Sequence, residues 1–195
     1  MDTRTELLKA AAQVFSQHGF RGSTTRRIAE TAGVNEVTLF RYFGSKEALL
    51  QEAIANTSDA PTATTLPAIP VDPDRELSEW CGLMIERLHA KRSIIRKCMS
   101  EIEERPEMIT TAVSTPVRAA NDLSAYLRKL KSMGVTQPDF DVAAAVTMLL
   151  GAVFHDAMGR EMMPQIYPAQ SKAARLYSRL LLNAIGFKSG NGGTR

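Results

Sequence analysis

The sequence has few cysteines, few aromatic residues and no long hydrophobic run. Two cysteines among 195 residues are too few for a disulfide scaffold, and they suit a reducing compartment. The longest nearly apolar stretch, 142–154, has 13 residues, which is short of the roughly 20 that a membrane span needs. The polar N-terminus lacks the apolar segment of a signal peptide. We therefore expect a soluble, cytoplasmic protein with no membrane association.

Motifs for catalysis and metal binding are also missing. The three histidines are scattered, with none of the spacings typical of metal sites. His155 and Asp156 are adjacent in sequence, so they lie on different faces of a helix and make poor joint ligands. We expect no metal, no cofactor and no enzymatic activity. Cys81 and Cys98 lie in apolar stripes, which favours buried, inert thiols over a redox pair.

The charge balance is mildly basic, with a net charge of +3. The first 50 residues hold seven basic and five acidic residues, whereas 51–74 hold four acidic residues and no basic one. This distribution permits nucleic-acid binding but does not establish it.

Apolar residues recur at helical spacing throughout, and no alternating strand pattern persists. We predict an all-α protein of about nine helices. Four stripes occupy the first 56 residues: the first ends at Gly19, the second ends at Gly33, the third spans 37–43 and the fourth begins at Ser45. Thr24 or Thr25 can cap the second helix. A glycine in the left-handed conformation can end each of the first two predicted helices.

Prolines organise the rest of the chain. Four of them fall in 57–73, which predicts a loop or linker. Pro106 and Pro116 are expected to interrupt the following helices, and Gly134 to stop one. Pro138 fits the first turn of a long helix reaching about residue 163. A last helix is closed by Gly186, and residues 189–195 form a flexible tail.

The stretch 24–43 places two short helices on either side of Gly33 and Val34. This length suits a helix-turn-helix, whose second helix enters the DNA major groove. We expect a shared apolar core of Phe15, Ile28, Ala29, Val34, Leu39 and Leu49. The polar side chains left facing outward, which can bond bases or phosphates, are Asn35, Glu36, Thr38, Arg41 and Tyr42. Spacing alone leaves open an ordinary helical hairpin with a solvated polar face.

The run GFRGSTTRRIAETAGVNEVTLFRYFGSKEALLQEAI resembles the N-terminal domain of the TetR family of bacterial transcriptional regulators. The features that match are Gly19-Phe20, Thr24-Thr25, Ile28-Ala29, Ala32-Gly33-Val34, Thr38-Leu39, Tyr42-Phe43, Ser45-Lys46-Glu47 and Leu49. By motif the resemblance covers about residues 4–56. It implies three N-terminal helices, a connecting fourth helix, and a larger helical domain that binds a small molecule and forms a dimer.

The resemblance also implies roles for particular residues of the third, or recognition, helix at about 35–42. Thr38, Tyr42 and Lys46 match positions that touch the DNA backbone, and Arg41 matches a variable position that often reads bases. Phe40 stands where tyrosine is frequent, so a phosphate bond is missing there. Glu36 stands where basic or small residues are frequent, so it either reads a cytosine or is a solvated bystander. The complete set of expected DNA-binding residues is Thr24, Thr25, Arg26, Arg27, Asn35, Glu36, Thr38, Phe40, Arg41, Tyr42 and Lys46.

A dimer is expected because one short recognition helix makes few base contacts. A two-fold pair binds two half-sites of a palindromic operator, about 34–36 Å apart or a multiple of that. The segment 142–154 is apolar almost all round and rich in alanine, so it is either the core helix of a monomer or a dimer helix. The resemblance places the last two helices in a dimer interface.

The C-terminal part is expected to hold an apolar or aromatic effector. Eight of the nine methionines lie between residues 84 and 163, where flexible thioethers either line an adaptable site or fill a core. The candidate ligand-binding residues are Trp80, Met84, Met99, Tyr126, Phe154 and His155.

The predicted organisation is a DNA-binding domain with connecting helix (1–56), a linker (57–73), an effector and dimerisation domain (74–188) and a tail (189–195). The predicted function is a homodimeric repressor that a small molecule releases from DNA. Three alternatives remain: a constitutive or activating regulator without an effector, an enzyme that carries a helix-turn-helix, and an adaptor whose polar face at 35–42 binds a protein.

Overall fold

The computed structural model describes residues 2–56, 65–105 and 109–188, with backbone alone for 56 and 109–115. These residues form nine α-helices, a short 3-10 helix and no strand, which confirms the all-α prediction. The helices are α1 (Thr3–Gly22), α2 (Thr25–Ala32), α3 (Glu36–Phe43), α4 (Lys46–Asn56), α5 (Pro73–Ala90), α6 (Arg92–Glu101), α7 (Ile109–Ser132), α8 (Val142–Gly159) and α9 (Gln170–Ala184). The predicted tail and residues 57–64 of the predicted linker lie outside the described residues.

The chain divides into two compact units. The N-terminal unit comprises Met1–Ala63 and Ala90–Thr115, and the C-terminal unit comprises Thr64–His89 and Pro116–Arg195. Helix α6 therefore groups with the N-terminal helices, whereas the sequence analysis had placed it in the C-terminal domain. The physical reason is that Ile94 and Cys98 are buried in the same apolar core as α1 to α4.

The ends of the short helices follow local signals. The side chain of Thr24, rather than that of Thr25, caps α2 by accepting the N–H of Arg27 at 3.2 Å. Gly33 adopts the left-handed conformation, with φ of 69°, and ends the helix as predicted. Gly134 and Gly186, which were predicted to end helices, also have positive φ.

The core of the N-terminal unit contains the predicted helix-turn-helix contacts. Phe15 of α1, Ile28 of α2, Leu39 of α3 and Leu49 of α4 are all completely buried in one cluster. Val34, in the turn, is partly buried against it. Burying a side chain of this size stabilises the fold by about 1.5–3 kcal/mol, so this cluster fixes α3 against α1, α2 and α4.

Helix α1 bends at Gly19, which has φ of 66° and ψ of −171°, a conformation essentially confined to glycine. The bend turns the backbone N–H of Phe20 toward α6, where both carboxylate oxygens of Glu101 accept it at 2.9 and 3.1 Å. A β-carbon on Gly19 would collide with the Glu101 carboxylate and the Lys97 side chain. The two helices therefore meet at a joint that requires glycine.

Helix α7 continues through Pro116, so the predicted interruption there is wrong. A proline inside a helix removes one backbone hydrogen bond and costs about 3 kcal/mol. The burial of Leu123, Leu127 and Leu130 in the C-terminal core offsets this cost. Pro106 lies outside the described residues.

The predicted start of the next helix at Pro138 is also wrong, because α8 begins at Val142. The Asp141 side chain caps it by accepting the N–H of Ala144 at 2.7 Å. The preceding loop is held by backbone bonds to the segment after α9, from the Gln137 N–H to the Ile185 carbonyl at 2.9 Å. That pairing is incompatible with helix at this point.

Helix α8 is long and apolar enough to cross a membrane by length and composition alone. It packs instead against α9, and Leu149 and Val153 are buried in the core of the C-terminal unit. Its C-terminal end stops at Gly159 rather than near residue 163, and a 3-10 turn at Pro164–Ile166 follows before α9.

We predict that Gly19→Ala lowers the free energy of unfolding by about 3 kcal/mol, because it adds backbone strain and a steric clash. Gly33→Ala is the matched control. It also places alanine at positive φ but meets nothing within 4 Å, so we expect a cost of about 1–2 kcal/mol. Chemical denaturation of both variants tests this difference, and equal losses would show that the α1–α6 joint tolerates a β-carbon.

Candidate nucleic-acid interface

Helix α3 presents most of its surface to solvent. Leu39 is buried and Phe43 is partly buried, whereas Arg41 and Tyr42 point outward. The Arg41 guanidinium lies 5.4 Å from the centre of the Tyr42 ring. No hydrogen-bond partner for Arg41 occurs among the described residues, so its five N–H donors are available to an external acceptor.

The start of α3 is held by its own polar side chains. The Asn35 carboxamide oxygen accepts both the backbone N–H and the hydroxyl of Thr38, each at 2.8 Å. The Thr38 oxygen keeps acceptor capacity, but its proton is used inside the helix. These bonds fix the orientation of the helix end that would face DNA.

Glu36 makes a contact within the motif that neither interpretation of the sequence included. Its carboxylate accepts the hydroxyl proton of Thr25 at 2.5 Å, across the turn between α2 and α3. The side chain is partly buried, so it is not simply solvated. The bond ties the two helices of the motif together, and it occupies Thr25, which the sequence analysis had assigned to DNA.

The basic residues near the motif have internal partners. Arg26 pairs with Glu30 at 2.9 Å, and this bond raises the pKa of the Arg26 guanidinium. Arg27 donates to the Gly22 carbonyl at 2.7 Å. Lys46, at the start of α4, donates to the Phe20 carbonyl at 3.3 Å and lies 4.2 Å from the centre of the Phe20 ring. Each cation is thus oriented by the fold, with its charge still near the surface.

Val37 falls in the predicted apolar stripe of α3 and was therefore not among the residues expected to face outward. The structure leaves Val37 75% exposed and Phe40 47% exposed. The signal was available, because a buried face defined by Leu39 and Phe43, four residues apart, leaves position 37 on the other side of the helix.

The six candidate ligand-binding residues lie in different environments, and three of them share one core. Trp80 and Tyr126 are buried in the core of the C-terminal unit, with Met84 packed against it. Phe154 is partly buried and His155 is exposed on α8. Met99 belongs to the N-terminal unit, where it is exposed.

Two of the candidate ligand-binding residues, Tyr126 and His155, have polar partners inside the C-terminal unit. The Tyr126 hydroxyl donates to Glu76 at 2.6 Å, and burial raises the pKa of Tyr126. Nδ1 of His155 lies 2.9 Å from the Tyr167 hydroxyl. Both polar side chains therefore have hydrogen-bond partners within the C-terminal unit.

The C-terminal unit also has a groove of about 400 Å³ that is partly open to solvent. It is lined by Asp72, Asp74, Arg75, Ser78, Arg175 and Arg179. The volume is in the range of small-molecule sites, but this lining is charged and polar rather than apolar as expected.

Both cysteines are buried and unpaired, and they belong to different units. Burial raises the pKa of the Cys81 thiol to about 12 and that of Cys98 to about 11. Because the thiolate is the reactive form, both are unreactive at neutral pH. In the described part of the chain, no group of three or more His, Cys, Asp or Glu residues is placed to hold a metal.

A short, capped helix presented after a glycine turn, with an exposed arginine on its outer face, is typical of the helix-turn-helix of DNA-binding proteins. Residues 7–53 match the family model described as bacterial regulatory proteins of the tetR family. This match, together with the relatives that follow, supports a TetR-family transcriptional regulator that binds DNA, a class of protein that is not enzymatic.

Relatives and solved structures agree with this assignment. The HTH-type transcriptional regulator YvkB of Bacillus subtilis is 29% identical over 69% of this chain and 71% of its own length. The HTH-type transcriptional repressor AcnR of Corynebacterium efficiens is 36% identical over 34% of this chain and 35% of its own. A TetR-family regulator from Mesorhizobium loti shares the fold, with a TM-score of 0.76 and 20% identity over 94% of this chain and 96% of that one.

We predict different DNA-binding defects for Arg41→Ala and Lys46→Ala. Loss of a base contact at Arg41 should weaken operator binding about 5–150-fold and binding to random DNA much less. Loss of a phosphate contact at Lys46 should weaken binding to operator and to random DNA alike. It should also reduce the slope of log affinity against log salt concentration by about one.

Titration of operator and random duplexes at several salt concentrations distinguishes the two effects. Lys129→Ala, at an exposed lysine on α7 of the C-terminal unit, is the control and should change neither affinity. If Arg41→Ala weakens both duplexes equally, Arg41 is only a phosphate contact.

Proposed function

We propose that this regulator is a homodimeric repressor that a small molecule releases from a palindromic operator in the cytoplasm. The observation that carries the DNA-binding part is the exposed face of α3, which lies inside the segment matching the family model. A relative with repressor in its name matches 34% of the chain, which supports repression as the mode of action.

In this proposal α3 lies in the major groove. Arg41 reads a base edge, and Thr38, Tyr42 and Lys46 hold the DNA backbone. The helix start at Asn35 is pre-ordered by its bonds to Thr38. Thr24, Arg26 and Arg27 flank the groove as phosphate contacts, while Thr25 and Glu36 keep α2 and α3 aligned.

We propose that α8 and α9 form the dimer interface. The outward side of α8 carries small and apolar residues that the C-terminal unit leaves uncovered: Ala143, Ala144, Thr147, Met148 and Gly151. Leu176 and Leu180 of α9 are also exposed. A β-carbon at Gly151 would meet nothing within 4 Å, so a second helix has room to approach there. Contiguous apolar exposure of this kind is typical of association surfaces.

We predict that Met148→Glu converts the dimer to a monomer. Met148 is 67% exposed, so the monomer tolerates a carboxylate there, whereas a self-complementary interface would bury two of them. Sedimentation velocity at micromolar concentration measures the change. Ile69→Glu, at an exposed apolar residue before α5, is the control and should remain dimeric. A monomeric wild type, or a dimeric Met148→Glu, would contradict this interface.

We place the effector in the C-terminal unit, where Trp80, Met84 and Tyr126 share one apolar core. An apolar or aromatic molecule that inserts there would bias the packing of the surrounding helices. Displacing α4 through that change would alter the separation of the two recognition helices. A coupling of about 1–3 kcal/mol changes operator affinity about 5–150-fold.

A second candidate is a constitutive regulator without an effector. It is favoured by the dispersal of the predicted ligand residues and by the charged lining of the groove. The DNA-binding part of the proposal is common to both candidates.

Selection from a random duplex library with the purified protein tests the proposed function. We expect the selected duplex to be palindromic, with half-sites one or two helical turns apart. Its affinity for the protein should fall steeply as the salt concentration rises. The selection is repeated with protein that has been unfolded and refolded to remove bound molecules. Enrichment that appears only after refolding supports an effector, equal enrichment shows that the purified protein carries no inhibitory molecule and fits both candidates, and no enrichment in either sample contradicts operator binding.

A further inference from the structure

We propose that Val37 reads a thymine methyl group in each operator half-site. The inference rests on the proposed placement of α3 in the major groove and concerns which base pair that helix selects. It starts from an observation that folding does not explain, the exposure of a valine at the beginning of the recognition helix.

Val37 is 75% exposed, and it is the second residue of α3. Valine is a poor helix former because its branched side chain loses rotamer freedom. It does not belong to the buried core of the N-terminal unit or to the side chains packed against that core. The side chain therefore adds little to the stability of the unit.

The position of Val37 is the part of a recognition helix that meets base edges, since the N-terminal residues of that helix enter the groove. Valine has no hydrogen-bond donor or acceptor in its side chain, so it can select a base only through apolar contact. The thymine C5-methyl is the apolar group that base pairs expose in the major groove. A T:A pair is consequently the base pair that Val37 can recognise.

Neighbouring side chains extend this surface. Phe40, three residues further along the helix, is 47% exposed and continues the apolar strip. Arg41, four residues from Val37, lies one helical turn away on the same face and is available to a guanine. A rise of about 6 Å over those four residues corresponds to about two base-pair steps, so we expect the thymine and a guanine close together in the half-site.

The test removes the methyl group and nothing else. In the selected operator, each thymine of the half-site is replaced by deoxyuridine, one position at a time and symmetrically in both half-sites. At one position the wild-type affinity should fall about four-fold per methyl, or about 16-fold for the pair, which corresponds to burying one CH₂-sized group in each half-site. Val37→Ala should bind the thymine and deoxyuridine operators at that position equally well, while Val37→Ile should retain the discrimination.

Val71→Ala is the matched control, because Val71 is 85% exposed and belongs to the C-terminal unit. It should discriminate thymine from deoxyuridine as the wild type does. The inference is overturned if Val37→Ala keeps the full discrimination, if no thymine position responds, or if the selected half-site contains no T:A pair. Failure of the proposed function has a different signature, because the wild type would then enrich no duplex at all.

Discussion

The bond between the Phe20 N–H and the Glu101 carboxylate depends on a backbone conformation that only glycine adopts readily. At Gly19 the chain turns out of its helical path, and the freed N–H of the next residue is satisfied by a side chain from 81 residues later. An N–H left unpaired at such a partly buried site costs about 1–3 kcal/mol. The packing of α1 against α6 therefore depends on both Gly19 and the Glu101 carboxylate.

Phe20, next to the bend at Gly19, also contacts the helix that follows the recognition helix. The Phe20 carbonyl accepts a bond from Lys46, and the Phe20 ring contacts both Lys46 and Arg105, the latter at 3.6 Å. A single residue at the bend thus contacts the start of α4 and the segment after α6. The recognition helix sits one tight turn before α4, so its support extends beyond the two helices of the motif itself.

Features that depend on neighbouring residues were predictable from the sequence. The cap at Thr24 and the stop at Gly33 arise within a few residues of chain, and the stripe through Ile28 and Leu39 identified the buried face of the motif. The start of α8 was not predictable in this way, because the loop before it is held by backbone bonds to Ile185, a distant residue.

In the candidate sites too, contacts with distant residues could not be predicted from local sequence. A helical stripe identifies which side of a helix is apolar, but it does not identify the partner that covers that side. For that reason Met99 was grouped with ligand residues that belong to another unit, and Val37 was included in the apolar stripe of α3 although it is exposed. The Thr25–Glu36 bond was missed because it joins two polar residues that each had an apparent role outside the protein.

The N-terminal unit is discontinuous in sequence, because α6 follows the linker and α5 yet completes the core that contains Leu7 and Phe15. This order has a consequence for synthesis on the ribosome. When the first 56 residues have emerged, the apolar surface that Ile94 and Cys98 later cover is still open to water. The DNA-binding end of the protein therefore reaches its final packing only after about half the chain has been translated, and the nascent chain must carry that exposed surface during the interval.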